Sequence, residues 1–411
     1  MVQQLDENLV LVLEKLTESR PSLYARKALN LVKRGRIEEY LKLKVDPNRY
    51  VDPVDFKVDY QVRSLLRKYP GLPIKRVLTR EAEDNFFRIE RENAITNCRL
   101  APFIDKALID PIDGPLLSFV ESVRKKVRRL LGPLPKDLSM ARFGKGATFD
   151  DRGVLAGLPH KMSSVPTITS DAICLSQFFW ETAWGKAVMS ARSTPRRIPG
   201  NRFGVVPKDA TKSRGVCVEP SINVFFQLSI GEHLKRRLKN VFGIDLYNAQ
   251  LKHQAKAQAA SVNGRFGTID LSDASDRMTV SLVQSLLPTD WFSLLDTLRS
   301  KQTFIRNRWH YNAKFSSMGN GFTFELMTII LYALCWEATE RHLFIDVKHQ
   351  DTIMVFGDDI IAPVAVCEDL LKILPFMGFK VNEDKTFIHG PFRESCGGDY
   401  FKGIDVRPYF L

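Results

Sequence analysis

The stretch that most constrains this chain is residues 352–366, where two short apolar segments flank a glycine and two adjacent aspartates. Both segments are rich in β-branched residues, so they predict two strands joined by a tight turn at the Gly357-Asp358-Asp359 triplet. Glycine permits the positive φ that such a bend needs. The turn is expected to present two carboxylates side by side at the edge of a sheet.

Two adjacent carboxylates beside hydrophobic strands repel each other and are costly to desolvate. A divalent cation between them removes that cost. Hard oxygen ligands of this kind suit Mg²⁺ or Mn²⁺. A solvated turn is the alternative interpretation, because Asp and Gly are ordinary turn formers. This stretch alone does not decide between the two.

The composition favours a polyanionic partner. The 411 residues include 60 Lys+Arg against 47 Asp+Glu, a net charge of +13. We expect nucleic acid before membrane, since no basic amphipathic anchor stands out, and a merely basic surface is the alternative. The six cysteines form no CxxC pair, which argues against a zinc site or a disulfide framework. The longest apolar segment, residues 322–336, is too short to span a membrane, so a soluble, cytoplasmic protein is expected.

Several helices are predicted upstream of the aspartates. One begins at Asp52-Pro53, within a region (residues 1–110) that shows no recognisable chemistry. A second covers residues 115–131 and carries a basic strip that either solvent or RNA could face. A third, residues 221–242, has helical apolar spacing and ends at Gly243.

A basic segment, residues 192–215, is interleaved with Pro and Gly and predicts an extended loop or hairpin. Lys208, Lys212 and Arg214 lie close together within it. Several cations on a stiff loop can surround a triphosphate and neutralise it. A basic surface loop without a ligand is the alternative.

A second carboxylate cluster lies at residues 266–277. A short strand, residues 266–269, ends in Asp270, and Asp273 and Asp276 precede a predicted helix. Asp270 would meet the Asp358-Asp359 turn if the two strands are neighbours in one sheet. For Asp273 we favour capping of the following helix, a role in which Asp is common.

A glycine-punctuated loop and a lysine segment complete the set of candidates. Gly319 and Gly321 flank Asn320 just before an apolar helix, an arrangement that suits contact with a ribose or a template backbone. Lys385 follows a predicted helix (368–377) and strand (379–381) and is a candidate proton donor, although a surface lysine is the commoner explanation. Residues 392–398 and 400–406 predict a turn and a closing strand.

The order of these segments resembles the motif series of a right-hand polymerase with an RNA-dependent RNA polymerase palm. More narrowly, the chain resembles the replicase catalytic subunit of the single-stranded RNA bacteriophages (leviviruses). The stretches that carry the resemblance are VPKDATKSRGVCVEPSINVFFQ, TIDLSDASD, SMGNGFTFEL, FGDDII, GFKVNEDKTF and FRESCGGDYFKGIDVRPYF. They run from about residue 205 to residue 410, and the first 200 residues match only loosely.

The resemblance implies an α+β fold with fingers and a palm built of an antiparallel sheet plus helices. Residues 1–110 would be a helical segment associated with the fingers, residues 111–260 the fingers with their NTP-binding loop, and residues 261–411 the palm, with an insertion at about 289–316. The family continues beyond this point into a thumb. We therefore expect that a thumb is missing here or is supplied by another chain.

The resemblance also implies a role for each candidate residue. Asp270, Asp358 and Asp359 would hold two Mg²⁺ ions, for which Mn²⁺ can substitute. Asp276, with Gly319 and Asn320 of the glycine loop, would bind the ribose 2′-hydroxyl, and Lys208, Lys212 and Arg214 would bind the triphosphate. Lys385 would protonate the leaving pyrophosphate, and residues 393–397 would support the priming end.

The implied function is template-directed RNA synthesis, with nucleotidyl transfer from NTPs to an RNA 3′-hydroxyl by two metal ions, to replicate a viral RNA genome. The implied partners are RNA template and product, host elongation factors Tu and Ts, and a ribosomal protein, in the cytoplasm of an infected bacterium. Two alternatives stay open. One is a reverse transcriptase-like palm polymerase, against which the polar Asp276 argues. The other is a truncated, non-catalytic RNA-binding relative, which would not bind metal.

Overall fold

The computed structural model describes residues 7–72, 78–105, 114–343 and 352–411. The domain boundary predicted between residues 110 and 111 lies outside these ranges, as do the first six residues of the chain. The described chain mixes helices with several small sheets, as the α+β prediction requires.

The helices and strands are numbered along the chain. The α-helices are α1 (Glu7–Ser19), α2 (Leu23–Lys33), α3 (Ile37–Leu41), α4 (Pro53–Ser64), α5 (Leu78–Leu100), α6 (Gly114–Leu131), α7 (Leu158–Ser163), α8 (Ser176–Glu181), α9 (Ala183–Ser190), α10 (Ser221–Phe242), α11 (Ala249–Asn263), α12 (Val280–Leu286), α13 (Thr289–Leu298), α14 (Thr323–Leu343) and α15 (Val364–Phe376). The strands are β1 (Thr167–Ile168), β2 (Arg196–Arg197), β3 (Asn201–Asp209), β4 (Lys212–Val218), β5 (Phe266–Ile269), β6 (Leu271–Ser272), β7 (Gln302–Ile305), β8 (Arg308–Tyr311), β9 (Met354–Phe356), β10 (Asp359–Pro363), β11 (Lys380–Val381), β12 (Phe392–Ser395), β13 (Gly398–Phe401) and β14 (Ile404–Asp405).

The antiparallel sheet β5-β10-β9 confirms the predicted hairpin and places it beside β5. The turn is shorter than predicted, because Asp359 is already the first residue of β10 and pairs with Phe356. Gly357 has a φ of +61° and Asp358 does not have a positive φ, a combination typical of two-residue hairpin turns.

The sequence predicted that the second apolar segment of residues 352–366 forms one strand. The structure shows that it does not. Pro363 ends β10, and Val364 begins α15 instead. Proline has no amide hydrogen to extend the ladder, and its fixed φ suits the residue just before a helix. A run of valines alone could not distinguish a strand from a buried helix.

The core is built around α14. This helix is buried on nearly all sides, which is characteristic of a helix that runs through the centre of a large core. It packs against α6, α10 and α15, and Ile269, Val355 and Ile360 of the β5-β10-β9 sheet belong to the same cluster. Ile361 belongs to a separate small cluster with Ala257 of α11.

Two cations of the basic strip on α6 contact other parts of the protein. Lys126 forms ion pairs with Glu337 and Glu340 of α14, and its side chain is only 12% exposed. Arg124 donates hydrogen bonds to the carbonyls of Ser285 and Phe103. These two cations are therefore used within the protein and do not form an RNA-binding face.

The predicted basic hairpin is β3–β4, and it forms part of a four-stranded sheet in the order β4-β3-β7-β8. Strand β7 comes from the predicted palm insertion and pairs in parallel with β3, with Asn201 opposite Thr303. The insertion therefore completes the sheet of the basic hairpin, which sequence periodicity could not reveal.

The two ends of the described chain meet in an aromatic cluster. Residues 392–406 form a three-stranded meander, β12-β13-β14, where a turn and one closing strand were predicted. Phe56 of α4 stacks on Phe401 with ring centroids 4.6 Å apart and contacts Phe392 at 5.4 Å. Helix α4 begins as predicted, with the Asp52 carboxylate accepting a hydrogen bond from the Val54 amide.

None of the described helices has the combination of length and apolar character that crossing a bilayer requires.

The aromatic cluster predicts a stability effect. Phe56 is 1% exposed, so Phe56→Ala should lower the free energy of unfolding by about 3–5 kcal/mol, through lost burial and the cavity left behind. Val54→Ala on the same helix is the control, since Val54 is 47% exposed and should change stability by less than about 0.5 kcal/mol. Urea unfolding followed by circular dichroism measures both, and equal effects would contradict the packing described here.

Candidate active site

Seven of the sequence-predicted residues line one cavity of about 560 Å³. They are Lys208, Lys212, Arg214, Asp270, Asp276, Asp358 and Lys385. These residues come from the basic hairpin, the segment after β5, the β9–β10 turn and the loop after β11, so the fold gathers cations and carboxylates from distant parts of the chain.

Pairing between β5 and β10 sets the position of Asp270. Ile269 lies opposite Ile360 in the antiparallel ladder, so Asp270 continues this register opposite Asp359. Asn382 also holds Asp270 in place. The backbone amide of Asn382 donates a hydrogen bond to the backbone carbonyl of Asp270 at 2.9 Å, and its side-chain Nδ2 donates to Asp270 Oδ2 at 2.6 Å. Sequence reasoning missed this role of Asn382. Asn382 follows β11, and β11 pairs with β6, which begins directly after Asp270. A prediction of that strand pairing would have placed Asn382 beside Asp270.

Burial and neighbouring negative charge raise the pKa values of Asp270 and Asp359. The pKa of Asp270 is raised to about 7, mainly by burial and also by the charges of Asp358 and Asp359, while Lys385 and the hydrogen bond from Asn382 oppose the rise. Burial and Asp358 likewise raise the pKa of Asp359 to about 6. The fold therefore concentrates negative charge where it is unfavourable, and a bound cation would relieve that repulsion.

The third predicted carboxylate points elsewhere. Oδ1 of Asp359 accepts hydrogen bonds from the Cys396 amide at 3.1 Å and from the Ser395 hydroxyl at 3.4 Å, in the turn between β12 and β13. Asp359 is not among the residues that line the cavity with Asp270 and Asp358. Among the described residues, no three His, Cys, Asp or Glu side chains are grouped so that they could hold a metal ion. The oxygen donors of Asp270 and Asp358 still suit a hard divalent cation.

Three cations of the basic hairpin lie in the cavity without an ion pair to a described residue. Lys208 lies at a register shift in β3. Lys212 and Arg214 are two residues apart in β4, so these two side chains lie on the same face of that strand. None of the three forms an ion pair with a described residue, and all three line the cavity. Partial desolvation and the neighbouring Arg214 lower the pKa of Lys208. An anionic ligand would offset this concentration of positive charge.

Lys385 lies at the border between the carboxylates and the cations. Its ammonium pairs with Glu394, and its side chain is about half exposed. Burial alone would lower the pKa of Lys385, but Glu394 and Asp270 outweigh that effect and raise the pKa above its usual range. Lys385 therefore carries its proton at neutral pH, as a proton donor must before it acts.

Asp276 is held by a buried lysine that sequence reasoning missed. Oδ1 of Asp276 accepts a hydrogen bond from Lys314 Nζ at 2.8 Å, and the Lys314 side chain is 2% exposed.

The expected capping of the following helix by Asp273 is wrong, because Asp273 makes no cap hydrogen bond and Thr279 caps α12 instead. The helix begins at Val280, too far from Asp273 for its carboxylate to reach the first free amides.

The glycine loop lies behind the cavity wall. Gly319 has a φ of +115°, and a Cβ there would lie 2.1 Å from the Cys217 carbonyl, so the loop packs against β4. Asn320 is 9% exposed, and its Oδ1 accepts from the Phe322 amide near the start of α14. Met318 lines the cavity, but Gly319 and Asn320 do not.

Arg393, predicted to help support the priming end, has a structural role in this fold. Its side chain is fully buried and donates hydrogen bonds to the carbonyls of Phe266, Ile388 and Gly390. These contacts hold β12 against β5. The turn itself is formed by Cys396 and Gly397, both with positive φ.

Comparison with known proteins places this site in a family context. The family model described as RNA replicase, beta-chain, matches residues 31–411. The RNA-directed RNA polymerase subunit beta of Qbeta virus (strain MX1) is 33% identical over 371 residues, which cover 89% of this chain and 61% of that protein. The RNA-directed RNA polymerase beta chain of Enterobacteria phage fr is 44% identical over 218 residues, covering 53% of this chain and 39% of that protein.

A solved structure is also similar. It is the insertion loop deletion mutant of the RNA-dependent RNA polymerase of a human picorbirnavirus, with 16% identity and a TM-score of 0.41 over 76% of this chain and 74% of that one. That similarity is too low to carry an argument. The chain spans 61% of the length of its Qbeta virus relative, and thus about three fifths of a complete relative.

The carboxylate repulsion predicts a pH-dependent stability effect. Asp270 has a pKa of about 7 when folded against an ordinary value of 3.8, so its ionisation opposes folding increasingly as pH rises between those values. In EDTA at pH 8, Asp270→Asn should be more stable than the parent by about 2–4 kcal/mol, and the difference should shrink as pH falls toward 4.

Urea unfolding across this pH range measures the difference. Glu383→Gln is the matched control, because it removes the same charge at an exposed position and should show no such pH dependence. A parent that is as stable as Asp270→Asn at pH 8 would mean that the carboxylates do not repel one another in the folded protein.

Proposed function

Because the chain belongs to the RNA replicase beta-chain family, we propose that it is the catalytic portion of an RNA-directed RNA polymerase, which adds nucleotides to an RNA 3′ end on an RNA template. The observation that carries the proposal is the convergence in a single cavity of Asp270 and Asp358 with three cations that form no ion pair with a described residue. Nucleotidyl transfer needs mainly positioning and charge neutralisation, and this arrangement offers both.

Asp270 and Asp358 are the residues that would hold Mg²⁺ or Mn²⁺, with Asp359 as a third ligand if it leaves Cys396. When bound, the metal would lower the pKa of the attacking 3′-hydroxyl and neutralise charge on the leaving pyrophosphate. The raised pKa values of Asp270 and Asp359 support this assignment, because a divalent cation would stabilise both carboxylates in their ionised form.

The other residues bind and orient the nucleotide. Lys208, Lys212 and Arg214 contact the triphosphate with charge-assisted hydrogen bonds. The ammonium of Lys385 gives its proton to the pyrophosphate oxygen that leaves. Because base pairing reads the sequence, the protein contacts RNA by its backbone and shape.

The domain division belongs to the same proposal. Residues 111–260 act as fingers with the NTP-binding loop, and residues 261–411 act as the palm. The predicted association of the N-terminal segment with the fingers applies to α5, which packs against β4, whereas α4 packs against β12 and β13 of the palm. Pairing of β7 with β3 supports a palm insertion that reaches into the fingers.

We also propose that the protein works with RNA template and product in the cytoplasm of an infected bacterium, where host elongation factors Tu and Ts and a ribosomal protein assemble with it. The support is family membership alone. Affinity purification of the tagged chain from infected cells, followed by mass spectrometry, tests this assembly.

Loss of Asp358 is expected to abolish RNA synthesis. With RNA template, NTPs and Mg²⁺, Asp358→Asn should incorporate label at least 100-fold more slowly than the parent, because a proposed metal ligand is lost. Glu383→Gln should retain parental activity. Titration with Mn²⁺ in a calorimeter should show binding by the parent and weaker binding by Asp358→Asn; if binding does not depend on Asp358, the chain is a non-catalytic RNA-binding relative.

The basic hairpin predicts a binding effect. Arg214→Ala should raise the KM for NTPs about tenfold with a smaller change in kcat, since one charge-assisted contact to the triphosphate is lost. Lys125→Ala on α6 removes an exposed cation far from the cavity and should leave KM unchanged. Steady-state incorporation kinetics measure both, and equal KM values would place the triphosphate elsewhere.

A further inference from the structure

The ammonium of Lys314 is buried beside two carboxylates. Lys314 lies in the loop between β8 and α14, and its Nζ is 2.8 Å from Asp276 Oδ1 and 3.9 Å from Glu90 Oε1. The ammonium also lies 4.3 Å from the centre of the Phe86 ring. A buried charge is stable only when it is paired, and here Asp276 is the closer partner.

Helix α5 holds the backbone around Asp276. Asn93 Nδ2 donates to the Asp276 carbonyl at 2.7 Å, and Glu92 forms an ion pair with the neighbouring Arg277. Glu90 of the same helix accepts a hydrogen bond from the amide of Ala313, the residue before Lys314. Helix α5 lies within residues 1–110, where the sequence predicted no functional residues. In the structure it contacts both the segment that carries Asp276 and the loop that carries Lys314.

The two carboxylate oxygens of Asp276 have different environments. Oδ1 is bound to Lys314, whereas no described residue donates a hydrogen bond to Oδ2. Asp276 lines the cavity, so Oδ2 is the oxygen left for a ligand. An ionised carboxylate can only accept hydrogen bonds, and a hydroxyl group is therefore a suitable donor.

We propose that Lys314 is a positioning residue for ribose recognition, holding Asp276 by Oδ1 so that Oδ2 accepts a hydrogen bond from the nucleotide 2′-hydroxyl. The inference rests on the proposed function and on the contact between Asp276 and the ribose 2′-hydroxyl that the family resemblance implies. A 2′-deoxynucleotide has no hydroxyl to donate, so a site built to bind this group disfavours it.

Lys314 would contribute in two ways. Its ammonium fixes the orientation of the carboxylate, so less rotational freedom is lost when the ribose binds. Its charge also offsets the repulsion of Asp276 by Glu90 and by the triphosphate. Burial raises the pKa of Glu90, Lys314 opposes this rise, and the charge of Asp276 adds to it.

The variants for the test must avoid an unpaired buried charge. Lys314→Met alone would leave both Glu90 and Asp276 without their cation and could unfold the protein. The pair to compare is therefore Glu90→Gln and the double variant Glu90→Gln/Lys314→Met. The glutamine oxygen can still accept the hydrogen bond from Ala313. The two variants then differ in the contacts of the Lys314 ammonium, of which the hydrogen bond to Asp276 is the one that faces the cavity.

The measurement is equilibrium binding of ATP and of dATP, each with Mg²⁺, to the full chain bound to an RNA template that presents U. The parent and Glu90→Gln should both prefer ATP. In the double variant the preference should fall about tenfold, through weaker ATP binding with dATP binding unchanged, as expected for one lost charge-assisted hydrogen bond.

Three results would overturn the inference. They are a double variant that keeps the parental preference, a double variant that loses ATP and dATP binding equally, and a parent that does not distinguish the two. If the double variant does not fold by circular dichroism, Glu90→Gln/Lys314→Gln replaces it, with the same expected loss of preference. RNA synthesis by the parent is measured separately: a parent that prefers ATP yet makes no RNA would contradict the proposed function and not the role of Lys314.

Discussion

The backbone ladder between β5 and β10 is the interaction on which the site depends. It joins segments about 90 residues apart and brings Asp270 to the turn that carries Asp358. The ladder is buried, with Ile360 and Ile361 fully enclosed, so hydrophobic packing holds the carboxylates together against their repulsion. A protein that needed only stability would gain by replacing Asp270, whose pKa is raised to about 7 by its surroundings. Retaining the charge is consistent with a site that binds a cation.

The positive charge of the chain is used in two different ways. On the helices, Lys126 pairs with Glu337 and Lys235 with Glu325, and these contacts tie α6 and α10 to α14. On the β3–β4 hairpin, Lys208, Lys212 and Arg214 form no ion pairs with described residues and line the cavity instead. The net charge of +13 is therefore not a uniform surface property. The cations that form no ion pair with described residues include those of the hairpin that faces the carboxylates, where an NTP is proposed to bind.

The parts of the fold that depend on local pattern could be predicted from the sequence. Helix α10 follows from its apolar spacing and from Gly243, which adopts the left-handed conformation, and β5 and the β9–β10 hairpin follow from short β-branched runs. The parts that depend on long-range contacts could not be predicted. Nothing local shows that Lys314 is buried against Asp276, that β7 pairs with β3, or that Asp359 is bound by the Cys396 amide. The candidate residues were therefore recognisable, whereas the contacts that orient them were not.

The central claim is that the β5–β10 pairing assembles a divalent-cation site opposite a cationic hairpin. Crystals of the chain grown with Mn²⁺ and a non-hydrolysable NTP analogue test it most directly, because manganese gives an anomalous diffraction signal. The account predicts an anomalous peak within about 2.5 Å of carboxylate oxygens of Asp270 and Asp358, with the triphosphate of the analogue against Lys208, Lys212 and Arg214. A cavity without manganese, or manganese bound only at surface carboxylates, would contradict the account.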